Sequence, residues 1–415
     1  MSTIRRERRS AVPTLKQVIP TVPKTRRINW DVLRVLAVLA VVLQHATHAG
    51  PNVHPEIGDP LFTVSLEMGA SSLVVISAFF ACASLAKGNR AWFLRNRLAR
   101  LLPAYAVAAC LTYWVLVHLA PEGWSHLEPR DLVLNILMLQ NWLPDVRLVD
   151  FSYWTLPVQL TGFVAGALLA SRVRGRALPV LLWALVLGPL VMREWTGEPG
   201  PLKLLYDGLG VHRAQLFAMG VGVWLWSRER LGNRHLTALL VAALGAQYLH
   251  SDNLEGTAAL GVVLIGVCAA AGGPDWDVAP LRALATPIRW LAGISYGVYL
   301  VHQEIGYVVM ERLTPWGPAV QLVAFLATAV LLGWALTVLV ERPAHRLLTA
   351  SHRPALARWL LVVGLRAQSH LGNSGTRPSR PLPSPRPVSQ PITSAAPPLI
   401  TGASLPAPAG NSQVR

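Results

Sequence analysis

The chain has 415 residues, 53% of them hydrophobic and only 14% charged, with a formal net charge of +16. A soluble domain carries about 25% charged residues, so this composition excludes a soluble globular enzyme, and the long apolar runs exclude a fibrous or fully disordered chain. The basic balance alone would suit nucleic acid, but the Lys and Arg residues lie between apolar runs, which is the pattern of a multi-pass membrane protein with no nucleic-acid partner.

Residues 1–27 are basic and are expected in the cytoplasm. The apolar stretch 30–49 that follows is as long as a span and carries Arg34 and His45. It lacks a small-x-small cleavage site, which predicts an uncleaved first helix rather than a signal peptide. A span needs about 20 mostly apolar residues. Further candidates are 61–86, 101–120, 154–170, 178–192, 212–227, 235–250, 257–272, 290–310 and 319–340. The expected fold is therefore an all-α polytopic membrane protein with about ten transmembrane helices. Leu132–Trp142 is too short to cross and is interrupted by Asn135, Gln140 and Asn141. It is predicted to be a re-entrant or interfacial segment, tolerable where it packs on protein. The transmembrane domain is expected over 28–346. A cytoplasmic tail follows over 347–415, Pro/Ser-rich from about Gly372 and too poor in apolar residues to fold.

Charge placement sets the orientation. With a cytoplasmic N-terminus, 30 of the 37 Lys and Arg fall on the inner side, including Arg172, Arg174 and Arg176, and five fall outside. That asymmetry matches the positive-inside rule and puts both termini of an even-span protein in the cytoplasm of a cell membrane. Cys82, Cys110 and Cys268 lie inside apolar runs without metal-ligand spacing, so they are expected to be packing residues. No metal and no bound cofactor is expected.

Ionisable residues inside a span are functional candidates by default. In the first helix, Arg34 and His45 are 11 residues apart. That is about three turns, which places them on one face roughly 16 Å apart along the axis. Asp31 shares the face and can hold the Arg34 guanidinium. A neutral imidazole can take the proton of a hydroxyl attacking a thioester or ester. A guanidinium at another depth suits a phosphate or a polarised carbonyl. The pattern suggests acyl transfer from a cytoplasmic donor to an acceptor nearer the outside.

Five ordered stretches carry a family resemblance. They are WDVLRVLAVLAVVLQH, holding Arg34 and His45, and FLRNRLARLLPAY, holding Arg97, Arg100, Pro103 and Tyr105. YWTLPVQ holds Trp154 and Gln159. GISYGVYLVH holds Ser295, Tyr296, Tyr299 and His302, and VERP holds Glu341, Arg342 and Pro343. Over about residues 28–346 the chain resembles the integral-membrane acyltransferase family 3, bacterial O-acyltransferases acting on surface polysaccharide, peptidoglycan and small molecules. The resemblance implies acyl-CoA as co-substrate, acetyl as the expected acyl group, and a hydroxyl of a carbohydrate, surface glycan or small metabolite as acceptor. It also implies His45 and Arg34 as catalytic residues, and Asp31, Trp154, Gln159, Ser295, Tyr296 and His302 in support. Arg97 and Arg100, one helical turn apart with Arg95 close by, suit the phosphates of a nucleotide-bearing donor on their own chemistry.

Two positions depart from the family pattern. Gln159 stands where the family usually has Glu, and Ser77-Ala78 where it usually has Ser-Gly. Counting about 1.5 Å per residue, Gln159 lies at a depth similar to His45, which predicts that it orients the imidazole. His302 and Glu304 are alternative partners. Glu67, Asp207, His212 and Arg213 lie toward the outer face as candidate walls of an acceptor cleft. The competing readings are a transporter or exporter lined by Arg34 and His45, and a member that has lost catalysis through Gln159.

Overall fold

A computed structural model describes residues 27–350, apart from 171, 173, 174, 176 and 198. The basic N-terminal segment before residue 27, the tail after residue 350, and Arg174 and Arg176 of the basic cluster lie outside the described residues. All regular structure among the described residues is helical.

The first helix, α1 (Ile28–Gln44), passes through a π-helical turn (His45–Ala49) into α2 (Gly50–Val53). Next come α3 (Gly69–Leu85), α4 (Arg90–His118), α5 (Pro129–Ile136), α6 (Thr155–Leu169) and α7 (Ala177–Arg193). They are followed by α8 (Pro201–Gly208), α9 (Ala214–Trp226), α10 (Asn233–Ser251) and α11 (Leu254–Gly272). The chain continues through α12 (Ala279–Ala283), α13 (Ala285–Val301), α14 (Gln303–Arg312) and α15 (Pro318–Leu336). A second π turn (Thr337–Glu341) leads into α16 (Arg342–Thr349).

Four helical stretches among the described residues are long and apolar enough to cross a membrane: Ile28–Val53, Arg90–His118, Leu254–Gly272 and Pro318–Thr349. Most of the remaining apolar runs give shorter or broken helices, whereas 235–250 forms the unbroken 19-residue α10, which is not among the four. Residues 61–68 are apolar enough to join a span but are not helical, so α3 begins only at Gly69. The run 212–227 yields a helix of 13 residues, and 290–310 breaks at His302 into α13 and α14. Mean hydropathy measures how well a segment tolerates lipid. It does not register where helical hydrogen bonding starts or stops.

The first helix packs against α3, α11 and α13. Its N-terminus is closed by Asp275, whose carboxylate accepts from the backbone N–H groups of Ile28 and Asn29, each at 3.1 Å. Such a cap satisfies donors that the helix itself leaves open. Close approach is set by glycines. Gly69 lies against the Ala37 carbonyl and Val41 of α1, and Gly297 of α13 lies against the Gly333 carbonyl of α15. A Cβ at either position would collide with its neighbour, so small residues let these backbones meet as they do in membrane helix pairs.

The interrupted run 132–142 is held on protein by the residues that interrupt it. Asn135 is buried; its amide donates to the carbonyls of Asp131 and Arg147, and its side-chain oxygen accepts from Val149 N–H. Its carbonyl accepts from the Tyr105 hydroxyl at 2.7 Å. Glu128 and Asp131 form a capping box at the start of α5.

Candidate active site

His45 opens the π turn of the first helix, a widened turn often found at functional positions. Its ring stands edge-on to His302, with centroids 4.9 Å apart. His302 sits at the break between α13 and α14 and is completely buried. Its Nδ1 is 2.8 Å from the Tyr299 carbonyl, and its Nε2 is 3.1 Å from His45 Nδ1. His45 Nδ1 is also 2.9 Å from the Val41 carbonyl.

The hydrogen-bond network assigns the tautomers. A carbonyl only accepts, so His302 Nδ1 carries the proton and its Nε2 is a lone pair. His45 Nδ1–H therefore donates to both His302 Nε2 and the Val41 carbonyl. That leaves His45 Nε2 unprotonated, as a general base requires. The imidazole lines a cavity of about 710 Å³, together with Glu67, Trp154, Arg213, Gln303 and Glu304. His302 lines no described cavity; it holds His45 from behind.

A second cavity of about 140 Å³ is lined by Arg34, Ser77, Arg97, Arg100, Gln159 and Tyr296, among others. Ala70 and Tyr299 line both cavities, so they form the wall between them. The Tyr299 hydroxyl is fixed there: it donates to the Ser152 carbonyl at 2.7 Å and lies 3.0 Å from Thr155 Oγ1. Arg34 is 3.8 Å from buried Asp31 and stacks over Phe80 at 4.7 Å. Arg97 stacks over Phe93 and Phe163, at 5.6 and 5.0 Å. Arg100 donates to Glu341 at 2.9 Å, and Glu341 ends the second π turn. Ser295 Oγ donates to the Ala292 carbonyl, and the Tyr296 hydroxyl donates to the Leu101 carbonyl, both in the lining of the small cavity.

Three residues lie elsewhere than their sequence context suggests. Arg95 donates to the carbonyls of Leu348 and Ala350 at the C-terminal end of α16 and does not line the small cavity with Arg97 and Arg100. Gln159 accepts from Ser77 Oγ at 3.0 Å and lines the cavity of Arg34, not that of His45. Asp207 pairs with Lys203 at 3.0 Å and is not part of the large cavity, whereas Glu67, His212 and Arg213 are. Trp154 is a wall of the large cavity, beneath the Arg213 guanidinium at 4.6 Å.

The geometry adds Asp150, which the sequence reading passes over. Its carboxylate accepts from Ser152 N–H and from Glu304 N–H, bracing the segment that carries Glu304 into the large cavity. Complete burial pushes this carboxyl up to about 6, against the hydrogen bonds from Ser152. The available signal was an Asp-x-Ser cap directly ahead of an apolar run.

The profile of an acyltransferase domain, that of acyltransferase family 3, covers residues 27–338. The chain belongs to acyltransferase family 3. No curated protein and no solved structure matched the chain. The matched stretch includes every described residue of both cavities and ends just before Glu341, the partner of Arg100.

Proposed function

We propose that this acyltransferase-family chain is a membrane O-acyltransferase that moves an acyl group, acetyl being the expected one, from acyl-CoA to a hydroxyl of a carbohydrate, surface glycan or small metabolite. The observation that carries the reading is the unprotonated Nε2 of His45 on a roomy polar cavity, separated from an arginine-lined cavity only by Ala70 and Tyr299.

In this reading the donor enters at the end of the bundle that carries Arg34, Arg97 and Arg100. Guanidiniums bind phosphate through paired donors, and Arg97, with no carboxylate partner among the described residues, is the most available. The narrow cavity admits the thin arm of the donor, and the thioester reaches the wall at Ala70 and Tyr299. His45 Nε2 takes the acceptor hydroxyl proton as the oxygen attacks the thioester carbonyl. The C–S bond breaks, the ester forms, and the departing thiolate recovers the proton as free CoA thiol. His302 positions the base and fixes its tautomer, a role that supporting hydrogen bonds commonly play behind a reactive histidine.

Ten spans in a cell membrane, with both termini cytoplasmic, complete the proposal. The arginine cavity then faces the cytoplasm, where acyl-CoA is made, and the segment 132–142 dips in as a protein-packed re-entrant piece. The test is release of CoA thiol, with transfer of radiolabelled acetyl, by the purified full-length chain in vesicles. His45→Ala is expected to lower the rate by about 10²–10⁴-fold while membrane insertion is unchanged. A near-normal rate in that variant removes His45 from the mechanism, and absence of release by the native chain removes the reading.

A further inference from the structure

We propose that the acceptor carries an anionic group, a carboxylate or phosphate, which Arg213 binds in the large cavity. This deepens the acyltransferase reading and rests on it for the word acceptor.

Arg213 immediately precedes α9 and lines the same cavity as His45. Its guanidinium lies over the Trp154 ring at 4.6 Å. Among the described residues it forms no hydrogen bond and no ion pair, and its Nε is buried without a partner. Glu67, also on the cavity wall, acts on it only through space. Asp207, the other nearby carboxylate, is taken by Lys203 at 3.0 Å. His212 and His250 flank the site and line the same wall, with His212 Nδ1 and His250 Nε2 also lacking partners.

A guanidinium withdrawn from water needs compensation. Stacking on an indole supplies part of it, about 0.5–2 kcal/mol, and leaves the forked N–H donors unused. Arg100 shows the usual solution, a carboxylate at 2.9 Å. Arg213 has room beside it instead, in a cavity large enough for a sugar-sized molecule. The start of α9, a helix of 13 residues, adds the positive end of its dipole to the same spot. A ligand that places its anion on Arg213 and its hydroxyl on His45 would use two of the polar features of one cavity. A neutral alcohol would give the forked N–H donors no anionic acceptor.

The experiment measures binding of glucose, glucuronic acid and glucose 6-phosphate to the full-length chain in detergent. At least one anionic probe is expected to bind tenfold or more tightly than glucose. Preference for glucuronic acid assigns a carboxylate, and preference for glucose 6-phosphate a phosphate. Arg213→Gln is expected to abolish the preference. Phenylglyoxal labelling of Arg213 in the native chain, read by peptide mass spectrometry, supplies the second readout. An anionic probe should block it and glucose should not, whether or not the variant folds. Equal binding of all three probes, no binding of either anion, or a preference that survives Arg213→Gln overturns the proposal. Binding needs no turnover, so the preference is read whether or not the chain transfers acyl groups. The anion site can therefore fail or stand independently of acyl transfer.

Discussion

The two cavities share a wall yet solve opposite problems. The smaller, about 140 Å³, gathers three arginines, two of them stacked on phenylalanines and one tied to Glu341. The larger, about 710 Å³, holds one arginine among imidazoles, carboxamides, hydroxyls and two glutamates. Concentrated positive charge in little space suits the phosphates and thin arm of a nucleotide thioester. Mixed donors and acceptors in a wide space suit a hydroxyl-rich molecule that must present one particular oxygen to a base. In the proposed function, charge density and breadth, each confined to its own side, would let one protein bind a highly anionic donor without that donor occupying the acceptor's place.

If the division is real, closing the shared wall should separate binding from transfer. Ala70→Phe puts a ring where the cavities meet. Transfer is expected to fall about 10²-fold, the scale of a misplaced reacting group, with acyl-CoA binding retained. Retained transfer would mean that the thioester reaches His45 by another route.

The next test asks whether the charge of the small cavity serves the donor. Arg97→Ala is expected to weaken acyl-CoA binding about ten- to hundredfold, the equivalent of about 1.5–3 kcal/mol for hydrogen bonds to a charged group. Arg97→Lys should recover little, because the fork is lost. Arg95→Ala should leave binding unchanged, since Arg95 serves carbonyls at the C-terminal end of α16. Equal losses at positions 95 and 97 would point to general surface charge rather than a site. The measurement is titration of acyl-CoA onto the purified chain.

The smallest effect is expected at Gln159. Its partner is Ser77, within the small cavity, so Gln159→Glu should leave the pH–rate profile in place and change acyl-CoA affinity by no more than a few fold. An upward shift of that profile would put position 159 in electrical contact with His45, and would blur the division between the cavities.

Helical period made parts of this site legible in advance. Arg34, His45 and Asp31 belong to one helix, and their types pointed to a base and an anion or carbonyl partner. Arg97 and Arg100 are three residues apart and reach one cavity, while Arg95 turns to another face. A helical wheel already separates them, because two residues along an α-helix is a rotation of about 200°. Counting residues gave Gln159 a depth similar to that of His45, but rise per residue measures height along an axis and says nothing of the direction a side chain faces. Gln159 therefore meets Ser77 rather than His45.

Composition, hydropathy and charge placement, all properties of local stretches, determined by themselves that this is a helical membrane protein with ionisable groups inside its first span. Family membership was legible for a related reason: five short stretches kept their order along the chain. The tertiary structure alone decided which groups meet. His302 reaches His45 across 257 residues, Glu341 reaches Arg100 across 241, and Arg213 finds an indole but no acid. Those meetings depend on how each helix is rotated about its own axis. That rotation is set by close contacts such as Gly69 on α1 and Gly297 on Gly333, which exist only once the helices have packed.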